Sequence, residues 1–209
     1  MRILEEQEQM KSIAFYKEKA KEDPDTYEPK VAELLNSLAT QIGESDEERS
    51  EQLYLEALEI RRRLAAKNPE EYEPALAETA RSIGLLNSNR EYYKTSVKYL
   101  LEALKYYRRC VQREPETYEA VLGVILFSLG LIYHLNRHYI TCVKYYLEAR
   151  EISQRPSVQN SEKYVHYFEQ LNDAMKEYKN DTAHLSESEK RQLEEQALED
   201  PEGEDMGDF

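Results

Sequence analysis

Three segments of the chain superimpose when the sequence is slid along itself by 45 and then 46 residues. Ser37-Leu38-Ala39 falls on Ser82-Ile83-Gly84 and on Ser128-Leu129-Gly130, and the same shifts carry Tyr27 to Tyr72, Tyr118 and Tyr164, and Pro24 to Pro69 and Pro115. Tyr54-Leu55-Glu56-Ala57-Leu58 recurs as Leu100-Leu101-Glu102-Ala103-Leu104 and as Tyr146-Leu147-Glu148-Ala149-Arg150. A unit of this length cannot bury its apolar face alone, so units must stack against one another. Inside the third unit Val121, Leu122, Ile125, Leu126, Leu129, Ile132 and Tyr133 follow the spacing of a helix buried on a broad face. Asn136-Arg137-His138 reads as a turn, and the helical pattern resumes from Tyr139 to Ile152 through Val143, Tyr146, Leu147 and Ala149. Each unit is therefore expected to be a helical hairpin. Small residues stand where two helix backbones must approach: Gly130, Cys142 and Ala149 here, and Gly84, Ser96 and Ala103 in the unit before.

Composition narrows the function classes. With 6 Gly and 7 Pro in 209 residues the chain suits long helices. A net charge of −14 argues against nucleic acid, whose binders neutralise phosphates with Lys and Arg, and against an anionic membrane surface. The first residues hold no apolar signal-peptide core, and no continuous apolar run is long enough to span a bilayer. Cys110 and Cys142 lie in different units without a CxxC pair, so they are expected as reduced thiols rather than a disulfide or a zinc site. A reducing cytoplasm is the compartment these features predict.

The third unit resembles the tetratricopeptide repeat. Leu129-Gly130-x-x-Tyr133 is followed by Cys142, Tyr146 and Ala149, which lie twelve, sixteen and nineteen residues beyond Gly130, the offsets of that family's signature. The middle unit offers Ile83-Gly84, Ser96, Leu100 and Ala103 but has Asn87 in place of the Tyr, and the first offers Leu38-Ala39, Ser50, Tyr54 and Ala57. The common repeat is about 34 residues long. Here about twelve residues, roughly 3.3 helical turns, are added between the Ala of one unit and the Gly of the next. The second helix is then expected to run on through Leu58–Lys67 to a break at Asn68-Pro69, with Asn68 as a cap. This long form is similar to repeats of the "LEIRRRLA…NPEEYEP" type in bacterial members of the superfamily. The resemblance implies an all-α, right-handed superhelical solenoid of antiparallel hairpins.

The units are expected at about 26–67, 70–113 and 116–155, preceded by a lone helix over 3–21 and followed by a closing helix over 161–178, so that 1–182 forms one repeat domain. Pro29 and Pro74 cannot donate an amide, which predicts that the first helix of those two units starts in earnest there. Ser186-x-x-Glu189 reads as a capping box for a helix over 186–198, and 199–209 as disordered. The segment 183–209 holds ten Asp/Glu against two Lys/Arg, more than half of the net charge. It reads as a solvating tail, or as a segment able to meet a basic partner or fold back on Arg61, Arg62 and Arg63.

The resemblance also implies a ligand groove lined by first-helix residues. Carried over position by position these are Glu33, Asn36, Thr40 and Gly43 in the first unit, Glu78, Arg81, Leu85 and Ser88 in the second, and Val124, Phe127, Leu131 and His134 in the third. With Arg81 as the single basic member, the Lys/Asn/Arg clamp that chaperone-binding relatives use on a carboxylate is missing. Among 17 tyrosines most fall in repeat slots, and Tyr92-Tyr93 and Tyr106-Tyr107 are the better candidates for an exposed face. His134 and His138 have the spacing of a metal pair, but a turn separates them and no third ligand is evident. No motif of nucleophilic, metal or phosphate chemistry occurs, and the carboxylates are expected on solvent faces, paired with Lys or Arg one helical turn away. The function expected is a non-catalytic protein- or peptide-binding scaffold without cofactor or metal. The alternatives are a regulatory receptor closing on a peptide and a homo-oligomeric structural unit self-associating through Phe127, Leu131 and exposed tyrosines.

Overall fold

The computed structural model describes residues 2–159 and 164–192, with side chains from Leu4 onward. The described residues form helices and turns without a strand. In chain order the helices are α1 (Arg2–Glu22), α2 (Pro24–Ile42), α3 (Glu47–Lys67), α4 (Pro69–Asn89), α5 (Tyr93–Arg113), α6 (Pro115–Leu135), α7 (Tyr139–Ser153), the single turn α8 (Pro156–Gln159) and α9 (Val165–Asp181). A further helical run covers 187–192, opened by Ser186, whose amide donates to Glu189 Oε2 at 2.7 Å while its hydroxyl accepts from the Glu189 amide at 3.3 Å. The start of the expected closing helix, 161–163, and everything expected over 193–209 lie outside the described residues.

Each helix from α1 to α7 packs mainly on its neighbours in sequence, α2 on α3, α4 on α5 and α6 on α7 as pairs, with α3 on α4 and α5 on α6 joining the pairs. α9 then lies on both α6 and α7. One apolar core runs through all the pairs, from Ile13 and Leu35 through Leu58, Ile83 and Leu100 to Leu129, Tyr146 and Leu171. α6 is apolar enough by length and composition to cross a membrane, with mean hydropathy 1.7, and 78% of its apolar window is buried between the other helices. Glu116 and Glu119 near its start interrupt its apolar run.

The first helix of every pair begins at the same register, with Pro24, Pro69 and Pro115 near its start. Pro29 and Pro74 therefore do not start their helices; they lie inside them. The missing amide at each deprives only a carbonyl of the first turn, at Asp25 and Glu70, both exposed to water. Asp23 and Asp46 cap by accepting from the amides of Thr26 and Arg49. Asn68 occupies the corresponding position but spends its side-chain amide on Glu71, 2.8 Å away, and makes no cap bond.

Where paired helices approach, a small hydroxyl does the joining. Ser50 donates to the Ala39 carbonyl at 2.8 Å and Ser96 to the Gly84 carbonyl at 2.7 Å. A Cβ on Gly84 would stand 2.7 Å from Leu100, and one on Gly130 2.4 Å from Tyr146, so these two glycines are needed for close approach. The turns closing the second and third hairpins place Glu91 and Arg137 at φ 60 and 62. The next amides, of Tyr92 and His138, close six-residue rings onto the Asn87 and Tyr133 carbonyls, both at 2.9 Å.

Ion pairs repeat with the units. One ladder joins second helices: Lys17–Glu56 (2.6 Å), Arg62–Glu102 (2.6 Å) and Arg108–Glu148 (2.8 Å). A second ties the first helix of each pair to the second or to the turn that follows it: Glu28–Arg63 (2.7 Å), Glu73–Arg109 (2.7 Å) and Glu119–Arg155 (2.6 Å), with Arg155 just beyond α7. The carboxylates that tie the helices together are thus paired across helices rather than one turn away on their own. Pairs of the latter kind, such as Lys21–Glu18 and Lys176–Asp173, lie on exposed faces, with the half-buried Arg81–Glu78 pair as an exception.

Candidate functional site

The face of α2 and α4 turned away from the core carries a partly exposed polar surface. Glu33 and Thr40 on α2 are exposed and Asn36 is half-buried; Glu78, Arg81, Leu85 and Ser88 form a half-buried stripe along α4. Gly43 closes α2 as its C-cap, half-buried, with room around it.

Two side chains from one repeat slot, Arg61 of α3 and Tyr107 of α5, reach into this surface from behind. Arg61 Nη1 donates to Asn36 Oδ1 at 3.1 Å, to the Ala75 carbonyl at 2.9 Å and to the Thr79 hydroxyl, which itself donates to Asn36 Oδ1 at 3.0 Å. One guanidinium therefore ties α2 to α4. Burial lowers its proton affinity, against the raising effect of the Glu78 and Glu33 charges. Tyr107 donates to Glu78 Oε2 at 2.8 Å, and Arg81 forks onto the same carboxylate at 2.9 and 2.6 Å. Burial opposes the Arg81 charge, but the hydrogen bond and charge of Glu78 outweigh it and hold the guanidinium above its ordinary value. Burial and then Glu78 push the Tyr107 phenol up, so it stays a donor. Glu78 pairs with Arg81 and Glu33 with Lys30 at 2.9 Å, both carboxylates offsetting the Arg61 charge, so the surface offers fixed hydrogen-bonding groups rather than a charged clamp.

The third unit is different. Val124, Phe127 and His134 are 1%, 5% and 7% exposed, and Leu131 is half-buried. These three residues do not line an open groove, because α9 covers α6. Phe168 of α9 and Ile152 of α7 stand 3.0 and 3.1 Å from the position a Gly123 Cβ would take. His134 is sealed by Asp181, with Nε2 3.1 Å from Oδ2, by the Tyr146 hydroxyl 3.3 Å from Nδ1, and by the Tyr178 ring. Phe127 stacks on Tyr146 with ring centroids 6.3 Å apart. Its burial also removes Phe127 from any self-association patch.

Of the tyrosine candidates, Tyr92 is 53% exposed, Tyr93 and Tyr106 are half-buried, and Tyr107 is buried on Glu78. Cys110 and Cys142 are buried in separate helices, and burial raises both thiols, most strongly Cys142, so neither is poised as a thiolate. Among the described residues no three His, Cys, Asp or Glu side chains are grouped as metal ligands.

Arg61 was absent from the residues the repeat pattern nominated, because it sits on a second helix. Its signal in the sequence was the slot it shares with Tyr107, 46 residues on.

No protein-family profile matches the chain, and no curated protein sequence matches it. Among solved structures it is similar to the crystal structure of BtubC (BKLC) from P. vanneervenii, with 19% sequence identity and a TM-score of 0.58 over 98% of this chain and 75% of that one. At that identity the likeness is one of fold.

Proposed function

We propose that the chain is a right-handed superhelical stack of tetratricopeptide-like hairpins serving as a non-catalytic scaffold for a protein or peptide, which docks on the outer face of α2 and α4. The observation that carries this reading is the Asn36–Arg61–Thr79 and Glu78–Arg81–Tyr107 pair of networks. They hold polar side chains in fixed positions on a partly exposed surface, so a partner meets donors and acceptors already ordered. Neighbour-to-neighbour packing of long helix pairs supports the repeat reading. The acidic balance of the chain supports a protein partner over nucleic acid or an anionic membrane.

The test is affinity capture from a lysate with the full chain, a Glu33→Lys/Thr40→Lys variant of the proposed face, and a Lys94→Glu control, all three side chains being exposed. A protein retained by the wild type and the control but lost from the face variant, at unchanged melting temperature, supports the scaffold. Retention by all three overturns the assignment of the face. Nothing captured, with a light-scattering mass of a dimer or larger, overturns the scaffold in favour of self-assembly.

A further inference from the structure

At the C-terminal end, α7, α9 and the helical run over 187–192 enclose a cleft of about 530 Å3. Val143 and Leu147 of α7 and Met175 and Tyr178 of α9 give it an apolar floor. Its walls are cationic on balance, with Arg150, Lys179, Lys190 and Arg191 against the single carboxylate of Glu187. A second hollow of about 410 Å3 shares Arg150, Met175 and Lys179 and adds Lys176. Lys190 and Lys176 have carboxylate partners in Glu187 and Asp173. Arg150, Lys179 and Arg191 make no ion pair among the described residues and are exposed. By contrast, the arginines of both ladders are each neutralised by a carboxylate of another helix.

The chain carries a complement to this cleft. Residues 193–209 begin two positions beyond Arg191 and hold eight carboxylates, no basic residue, and Met206 and Phe209 set among the acids. Seventeen residues span up to about 58 Å when extended, ample for a return to the cleft. A tether this short holds its end at a local concentration on the order of millimolar, so a weak charge-matched contact is enough to fill the site. Arg61, Arg62 and Arg63 offer no comparable seat, being engaged by Asn36 and Thr79, by Glu102 and by Glu28.

We propose that this cleft is a binding site for an acidic peptide segment bearing apolar side chains, and that residues 193–209 of the same chain occupy it. The site is separate from the α2–α4 face, and its test does not depend on that reading. A nitroxide is attached to full-length Asp208→Cys, the native thiols being buried, and methyl signals are read by NMR. The expected result is loss of intensity at Met175, Leu147 and Val143 with Leu38 and Leu58 unaffected. The loss disappears in Arg150→Glu/Lys179→Glu, and at about 1 M salt, where the Debye length falls to about 3 Å. Both substituted side chains are exposed, and a thermal melt verifies that the variant folds. Loss spread evenly over the molecule, or concentrated near Arg61–Arg63, overturns the proposal. So does loss that persists when the nitroxide and the isotope label are on different molecules, which would make the occupant a second copy's segment.

Discussion

Arg109 reaches back 36 residues to a Glu73 carboxylate that is 3% exposed, with Nη1 2.7 Å from Oε1, and Arg113 holds the other oxygen at 2.9 Å. A buried acid between two cations is costly to leave half-paired. Glu73→Gln is expected to lower unfolding free energy by about 2–3 kcal/mol. Lys17→Gln breaks a pair whose side chains are 41% and 42% exposed, and is expected to cost less than about 0.5 kcal/mol. Urea titration of both variants measures the contrast.

Gly84→Ala and Gly130→Ala should each destabilise by about 1–3 kcal/mol, since the added methyl lands on Leu100 or Tyr146 and the paired helices must move apart. Gly43→Ala serves as the opposite case. Its Cβ would meet nothing closer than 3.4 Å and its φ is −51. It should be neutral or stabilising by up to about 1 kcal/mol in the same titration.

Glu91 and Arg137 hold a left-handed backbone that favours glycine. Glu91→Gly and Arg137→Gly are each expected to stabilise by about 0.5–1 kcal/mol, seen as a higher denaturation midpoint.

Phe127→Ala tests the correction in the third unit. A groove side chain would be removed at little cost, whereas a ring buried on Tyr146 costs about 3–4 kcal/mol. Calorimetry of the single variant decides between the two.

The Ser157 hydroxyl hydrogen bond, assisted by Arg155 and opposed by burial, holds the Glu119 carboxyl below the ordinary carboxylate value. The unfolded chain therefore takes up this proton at a higher pH than the folded one. The stability contributed is complete above the ordinary value of 4.5 and is lost as pH falls through the depressed one. Denaturation curves between pH 3 and 6 should show a shallower acid loss in Glu119→Gln than in the wild type.

The helical hairpins were readable because their marks are local. Tyrosines, prolines and small residues fall in fixed slots, and the apolar period of Val121–Tyr133 is that of a helix. The ion-pair ladders were not readable: Arg62 and Glu102 are 40 residues apart, and the period alone does not say which helices meet. Pro74 misled because proline was weighed as a helix start, whereas at the sixth position it costs one exposed carbonyl its donor. For the groove, the α4 stripe of Glu78, Arg81, Leu85 and Ser88 is half-buried rather than buried. Its α6 counterpart is covered by α9, and the warning was the nearly continuous apolar surface of α6, which a helix facing solvent does not carry.

The period of the ladders bears on how such a chain can change length. Excision of residues 70–115, one period of 46, would join Asn68-Pro69 to Glu116-Thr117-Tyr118, close to the Glu70-Glu71-Tyr72 that followed before. Glu73, Glu102, Arg108, Arg109 and Arg113 would leave together, Glu28–Arg63 and Glu119–Arg155 would stay intact, and Arg62 would inherit Glu148, while Glu51 would lose Arg90 and Arg61 would lose Thr79. A cut that removed Arg109 and Arg113 but spared Glu73 would strand a buried carboxylate. Within the ladders, a change in length by a whole period thus keeps the pairs in register, and the electrostatics of the fold would act on such changes as a reading frame.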